Sequence, residues 1–163
     1  LKSGMCPKTA KKLRLAAALH DIGKIGISKS VTEKPGKLTV QEFEIMKTHT
    51  IKGVEILKSV KGDLGVMARN IALWHHERWD GNGYWGKRSC DLPQYVSIVT
   101  LADVFTALVH KRVYKEAWPP KEALRYIENG AGTQFCPEFV RIFITLIQDD
   151  NGIAKFYKGV LEA

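Results

Sequence analysis

The sequence predicts an all-α domain, and three observations carry that prediction. Apolar residues recur every three to four positions along most of the chain. The β-branched alternation of a half-buried sheet is missing. Glycine and proline cluster at the breaks between apolar stretches, where they punctuate rather than disrupt. We find no internal repeat and no low-complexity tract.

The elements follow in order. A first helix starts near Pro7–Thr9, shares Leu13, Ala16, Ala17 and His20 along one face, and stops at Gly23. Residues 24–38 carry Gly26, Pro35 and Gly36 and read as a connecting loop. Thr39 followed by Glu42 is a capping box that opens a long helix, with Met46, His49, Gly53, Ile56 and Leu57 at helical spacing. A third helix runs from about Leu64 to Glu77 with Met67, Ile71 and Trp74 on one stripe. Asp80-Gly81-Asn82-Gly83 then sets two turn dipeptides in succession, in a loop that lasts to Pro93. Gln94 to His110 forms a fourth helix that turns Ile98, Leu101, Ala102, Phe105 and Leu108 inward. Pro119-Pro120 opens a fifth, ended by Asn129-Gly130, and Pro137 opens a sixth with Val140, Phe143, Leu146 and Ile147 apolar. The tail from Gly152 has no legible state.

The chain has 163 residues, 45% hydrophobic and 26% charged, which is enough to bury a core and too apolar for disorder. Its 25 Lys and Arg against 17 Asp and Glu leave a net charge of +8, which favours an anionic partner. The basic residues are dispersed and no reader motif is visible, so a nucleic-acid polymer is not expected as that partner. No apolar run approaches a membrane span, and no signal-peptide core begins the chain. Cys6, Cys90 and Cys136 form no CxxC pair, so reduced thiols in the cytoplasm are the expectation. The start at Leu1 rather than Met suggests a piece of a longer protein.

The chemistry lies in the histidines and two aspartates. His20-Asp21 ends one apolar helix, His75-His76 ends another, His49 stands on a third, and Asp103 interrupts the apolar Leu101–Phe105 stretch. A lone buried carboxylate at that position costs several kcal/mol unless it is paired or metal-bound. Imidazole and carboxylate without thiolate suit iron, manganese or another borderline transition metal better than a structural zinc. Two ions about 3.5–4 Å apart would clamp a phosphoryl oxygen and activate a nucleophile. Asp21 is placed to bridge them through its two oxygens. His110, further along the Asp103 helix, is expected outside the metal sphere. Lys8, Lys11, Lys12 and Arg14 read as a solvated helix face, and Trp74, Trp79 and Trp118 as packing residues.

Four stretches in this order, LAAALHDIGKIGI, KTHTIKGVEIL, HHERWDGNGYW and LADVFTAL followed by KRVYK, resemble the HD-GYP family of bacterial phosphodiesterases. That family is the branch of the HD superfamily that hydrolyses cyclic di-GMP, and the resemblance spans about residues 13–143. It implies a single helical bundle of the HD type over residues 1–163 and hydrolysis to pGpG or GMP. It also implies two metal ions held by His20, Asp21, His49, His75, His76 and Asp103. Asp21 would bridge, His49, His75 and His76 would complete one ion, and His20 and Asp103 would hold the other. Lys24 matches the lysine facing the phosphate, where an ammonium neutralises developing charge. Tyr84 matches the tyrosine that meets substrate, and Arg112 and Lys115 match positions contacting the dinucleotide. The family usually joins such domains to receiver or sensor modules, with signalling proteins as partners.

Three departures stand out. Tryptophan occupies position 85 where the signature has proline; it either offers a second stacking surface or, the favoured reading, covers apolar surface. Cys136 replaces a usual aspartate, a structural change expected at a helix cap. Residues 1–19 contain no His, Asp or Glu, so the upstream ligands of the family are absent from this chain, as though a helix were missing. The competing expectation is therefore a catalytically weak module that binds nucleotide or metal and signals through its loop. A third class, HD hydrolases of dNTPs or (p)ppGpp, is disfavoured by the second His doublet and the DGNGY loop.

Overall fold

The computed structural model describes residues 4–110 and 117–148, and Arg112, Lys115 and the tail from Gly152 lie outside them. The described residues are helical, with no strand among them and one isolated bridge between Ala131 and Phe135. The helices are α1 (Pro7–Ala17), α2 (Lys29–Thr32), α3 (Val40–Lys47), α4 (His49–Ile56), α5 (Gly62–Trp74), α6 (Gln94–Val109), α7 (Pro120–Asn129) and α8 (Pro137–Gln148).

Several boundaries differ from the sequence expectation for local reasons. The first helix stops at Ala17, not Gly23, and a 3₁₀ turn over Ile22–Gly26 follows. The expected loop over 24–38 also contains α2, capped by the Ser28 hydroxyl accepting from the Ser30 amide. The Thr39 capping box is present with both reciprocal bonds. The long helix it opens is broken at Thr48 into α3 and α4. There the side chains of Thr48, His49 and Thr50 take the carbonyls of Ile45, Met46 and Lys47 in turn. Side chains that compete for successive main-chain acceptors bend or interrupt a helix.

Two apolar clusters hold the bundle. One joins α1, α5 and the start of α6 through Ala16, Met67, Ile71, Ala72 and Val99. The other joins the rest of α6 to α7 and α8 through Phe105, Leu124, Ile127, Phe135 and Phe139. Helix α6 belongs to both, passing from one to the other between Val99 and Leu101, just before Asp103. Truncating a fully buried residue such as Ile71 costs about 2–5 kcal/mol. Ala102, expected inward, is exposed; it borders a groove between α1 and α6 with Leu13, Ala17 and Ile98. Cys136 is the residue before α8, and its buried thiol packs into the second cluster while its carbonyl accepts from the Val140 amide. Trp79 and Trp118 pack against that same cluster.

The 3₁₀ turn lies directly against α4. A Cβ on Gly23 would stand 1.9 Å from the His49 carbonyl oxygen and 2.5 Å from the Gly53 nitrogen. Only a glycine lets the backbone after Asp21 come that close, and this approach brings Asp21 to His49.

Candidate metal centre

The junction after α1, the α3–α4 junction and the end of α5 converge on Asp21, and the middle of α6 brings Asp103 beside His20. Its Oδ1 lies 3.3 Å from His49 Nε2 and 3.7 Å from His75 Nε2. Its Oδ2 lies 3.4 Å from His20 Nε2 and is paired with Lys24 Nζ at 2.5 Å. His20 Nε2 in turn faces Asp103 Oδ1 at 3.5 Å. One donor atom each from Asp21, His49, His75 and His76 lie within 4.8 Å of one another. The two oxygens of Asp21 thus look at two different groups of nitrogen and oxygen donors.

The imidazoles are aimed by the backbone. His20 Nδ1 donates to the Ala17 carbonyl at 2.7 Å, and His49 Nδ1 to Met46 at 2.6 Å. His75 Nδ1 donates to Ile71 at 3.0 Å. With Nδ1 committed to the backbone, Nε2 is the ring nitrogen left to face Asp21 and the one a metal would take. Asp21 Oδ1, His49 Nε2 and His75 Nε2 are buried and have no hydrogen-bond partner. The approaches between them are close enough for attraction but are not aligned as hydrogen bonds. Leaving three such atoms unsatisfied costs about 1–3 kcal/mol each. Donors around one ion with bonds of about 2.1 Å stand roughly 3–4 Å apart, so this set fits a divalent cation with small adjustments. Calcium and magnesium, which prefer all-oxygen shells, suit it poorly.

The electrostatics are strongly coupled. Burial disfavours charge on His20, but hydrogen bonds to Asp103 and Asp21 outweigh it and hold its pKa at about 10. Burial likewise opposes ionisation of Asp21, yet His20, His49, His75 and Lys24 keep its carboxyl far below the usual range. Burial and the neighbouring His75 and His49 drive His76 down to about 3, so it stays neutral. Asp103 is also held low: burial resists, and His20 overcomes it.

Two recesses flank His76. One, of about 300 Å³, is lined by Phe43, Lys47, His76, Arg78, Tyr84 and Gln134. The other, of about 290 Å³, is lined by Asp21, Lys24, His76, Asp103 and Tyr126. Tyr84 stacks on His76 with centroids 4.3 Å apart and planes at 26°, and Phe43 meets its edge at 5.5 Å. Burial, with Asp21 and Asp103 nearby, raises the Tyr84 phenol to about 12.

The cluster of a His-Asp pair on one segment with histidines from two others, closed by an aspartate on α6, matches a known architecture. A family model described as the HD domain covers residues 1–139. The chain belongs to the HD domain family. It is 45% identical over 153 residues to a cyclic di-GMP phosphodiesterase of Thermotoga maritima, covering 93% of this chain and 42% of that protein. It is 39% identical to a 3′3′-cGAMP-specific phosphodiesterase of Vibrio cholerae, covering 86% of this chain and 27% of the relative. A solved structure of Bd1817, an HDG"Y"P protein of Bdellovibrio bacteriovorus, superposes with a TM-score of 0.65 at 21% identity, over 84% of this chain and 43% of that one. This HD domain thus spans less than half the length of these relatives, and the resemblance to the HD-GYP branch read from its motifs holds.

Of the expected site residues, His20, Asp21, Lys24, His49, His75, His76, Tyr84 and Asp103 come together around the two recesses. Arg112 and Lys115 lie outside the described residues. His110 stands apart, donating Nδ1 to the Thr106 carbonyl at 2.8 Å, as expected. Trp85 does more than cover apolar surface: its indole Nε1 donates to Thr50 Oγ1 at 3.1 Å, with the Lys47 ammonium 5.2 Å above the ring. Sequence reasoning missed Glu77, which is fully buried and accepts from the Trp85 and Lys87 amides, each at 2.7 Å. Its one sequence signal is a carboxylate set directly before a turn rich in free amides. Among the described residues no helix is long and apolar enough to cross a membrane.

Proposed function

We propose that this domain is a metal-dependent phosphodiesterase that hydrolyses cyclic di-GMP to pGpG or GMP in bacterial second-messenger signalling. The observation that carries the reading is Asp21, whose buried, unpartnered Oδ1 meets the equally unpartnered Nε2 atoms of His49 and His75 on one side, with the His20–Asp103 pair on the other. In this reading His49, His75, His76 and Asp21 hold one transition-metal ion, iron or manganese, and His20, Asp21 and Asp103 hold a second. Bound there, such ions polarise phosphoryl oxygens and lower the pKa of water at the phosphorus.

The chain's own residues supply the rest. Lys24, on the rim beside Asp21, reaches the phosphate and offsets charge that builds on its oxygens. Tyr84, braced by His76 and Phe43, offers a rigid face to a guanine, and base stacking of this kind is worth about 1–3 kcal/mol. Arg112 and Lys115 complete the dinucleotide contacts in this proposal. The two recesses on either side of His76 suit a substrate with two nucleotide arms. The net charge of +8 favours a dianion. We assign the domain to the cytoplasm, in keeping with its free cysteines, and expect a receiver or sensor module and a signalling partner to control it.

A second reading, a catalytically degenerate nucleotide- or metal-binding module, draws on the unequal donor sets: three histidines on one side of Asp21, but only His20 and Asp103 on the other. One measurement separates the two. Elemental analysis of anaerobically purified protein, with products of cyclic di-GMP followed by chromatography, is expected to give two ions per chain and pGpG or GMP. One ion or none, with no turnover after iron or manganese is supplied, would refute the enzyme and leave the module.

A further inference from the structure

The loop that carries Tyr84 is fixed in a way that depends on the tryptophan at position 85. A proline there, as in the signature this loop resembles, has no amide hydrogen. Trp85 has one, and it donates to Glu77 Oε1 at 2.7 Å; the Lys87 amide takes Oε2 at the same distance. Hydrogen bonds from amides to a carboxylate are charge-assisted and stronger than neutral ones. Glu77 is fully buried, so the pair forms away from competing water. The indole adds a third anchor on a different element, donating to Thr50 Oγ1 of α4 at 3.1 Å. Gly83 permits the closure, because a Cβ there would stand 2.5 Å from Glu77 Cα and 2.7 Å from the His76 carbonyl oxygen. Tyr84 is the residue directly before the first anchored amide, and its ring stacks on His76.

We propose that Glu77 and Trp85 are a positioning pair: their clasp sets the face that Tyr84 presents to the substrate, a task the stiffness of a proline would otherwise perform. The role rests on the reading that Tyr84 meets the substrate. Glu77 borders the first recess with no exposed surface of its own and acts through the main chain of residues 85 and 87. A glutamine there keeps the shape but has one acceptor, and its NH₂ group faces an amide that also donates.

The test uses the full metal-loaded chain and the variants E77Q, W85P and E77Q/W85P. For each, deuterium exchange over residues 81–88, metal content, and KM and kcat for cyclic di-GMP are measured. In E77Q we expect faster exchange, KM raised about tenfold, and kcat and metal content within twofold of wild type. The double variant is expected to raise KM by less than the product of the two single effects, because both changes break the Trp85–Glu77 hydrogen bond. Unchanged exchange in E77Q overturns the clasp. Faster exchange with unchanged KM, or joint loss of kcat and metal, overturns the positioning role. Absence of turnover by the wild type overturns instead the phosphodiesterase reading; the clasp is then decided by exchange, and its role by the dissociation constant for cyclic di-GMP, expected to rise in E77Q as KM would.

Discussion

Replacing Gly23 by alanine tests whether the close approach after Asp21 builds the centre. The new methyl carbon would lie 1.9 Å from the His49 carbonyl oxygen and 2.5 Å from the Gly53 nitrogen. Both are main-chain atoms of α4, so no side chain can swing away. Reaching ordinary contact requires the turn and α4 to separate by about 1.5 Å, a change that overpacking data put at roughly 1–3 kcal/mol. For a domain of this size that is a fall in Tm of about 2–12 °C. The larger effect falls on the site. Asp21 rides on the displaced turn and His49 on the displaced helix, and a misplacement of about 1 Å near reacting groups lowers rates about a hundredfold. We expect G23A to fold, to bind less metal by elemental analysis, and to lose about 10²-fold in turnover. Gly26→Ala is the control. Its Cβ meets only the flexible Lys52 side chain, at 2.9 Å, so it should keep metal and activity. Wild-type metal content and turnover in G23A would show that the contact does not position the ligands.

Three further outcomes follow from the same geometry. His49→Ala should remove one bound ion per chain and lower turnover by more than the roughly 10–100-fold typical of lost outer-shell partners, whereas His110→Ala should leave both unchanged in the same assays. Tyr84→Ala should raise KM roughly 5- to 150-fold, the equivalent of one lost base stack, while Tyr84→Phe keeps the ring and should stay near wild type in steady-state kinetics. Lys34 and the Thr39 amide hold Glu42 at about 2, below its ordinary 4.5, so its contribution is complete above pH 4.5 and disappears as pH falls toward 2. Thermal melts should therefore show a Tm gap between wild type and E42Q that is widest near neutrality and closes across that interval.

Helix positions were legible wherever a local signal fixed them. Thr39 and Glu42 announced their capping box, and Pro120 and Pro137 opened helices where proline at the first position predicts. The break at Thr48 was not legible, because it arises from three polar side chains choosing main-chain acceptors that a periodicity count ignores. Ala102 misled for a related reason: an apolar residue on a helix says nothing about whether a neighbour covers it. At the centre, the residues and the bridging place of Asp21 came from the motifs, while which donors face which of its two oxygens came only from distances. Glu77 was hidden because a carboxylate between a histidine and an arginine reads as solvated until the loop folds over it.

The hydrogen bonds from His20, His49 and His75 to the carbonyls of the preceding turn have a kinetic consequence. Those carbonyls lie in the last turns of α1, α3 and α5, where those of Ala17 and Ile71 also take the His20 and His75 amides, so forming the helix ends and orienting the rings are the same event. The ring nitrogens are already converged when an ion arrives, and no segment has to refold around it. Uptake should then proceed at a pace set by the ion shedding its water and by Lys24 releasing Asp21, and loss of metal should leave the helical content of the domain intact.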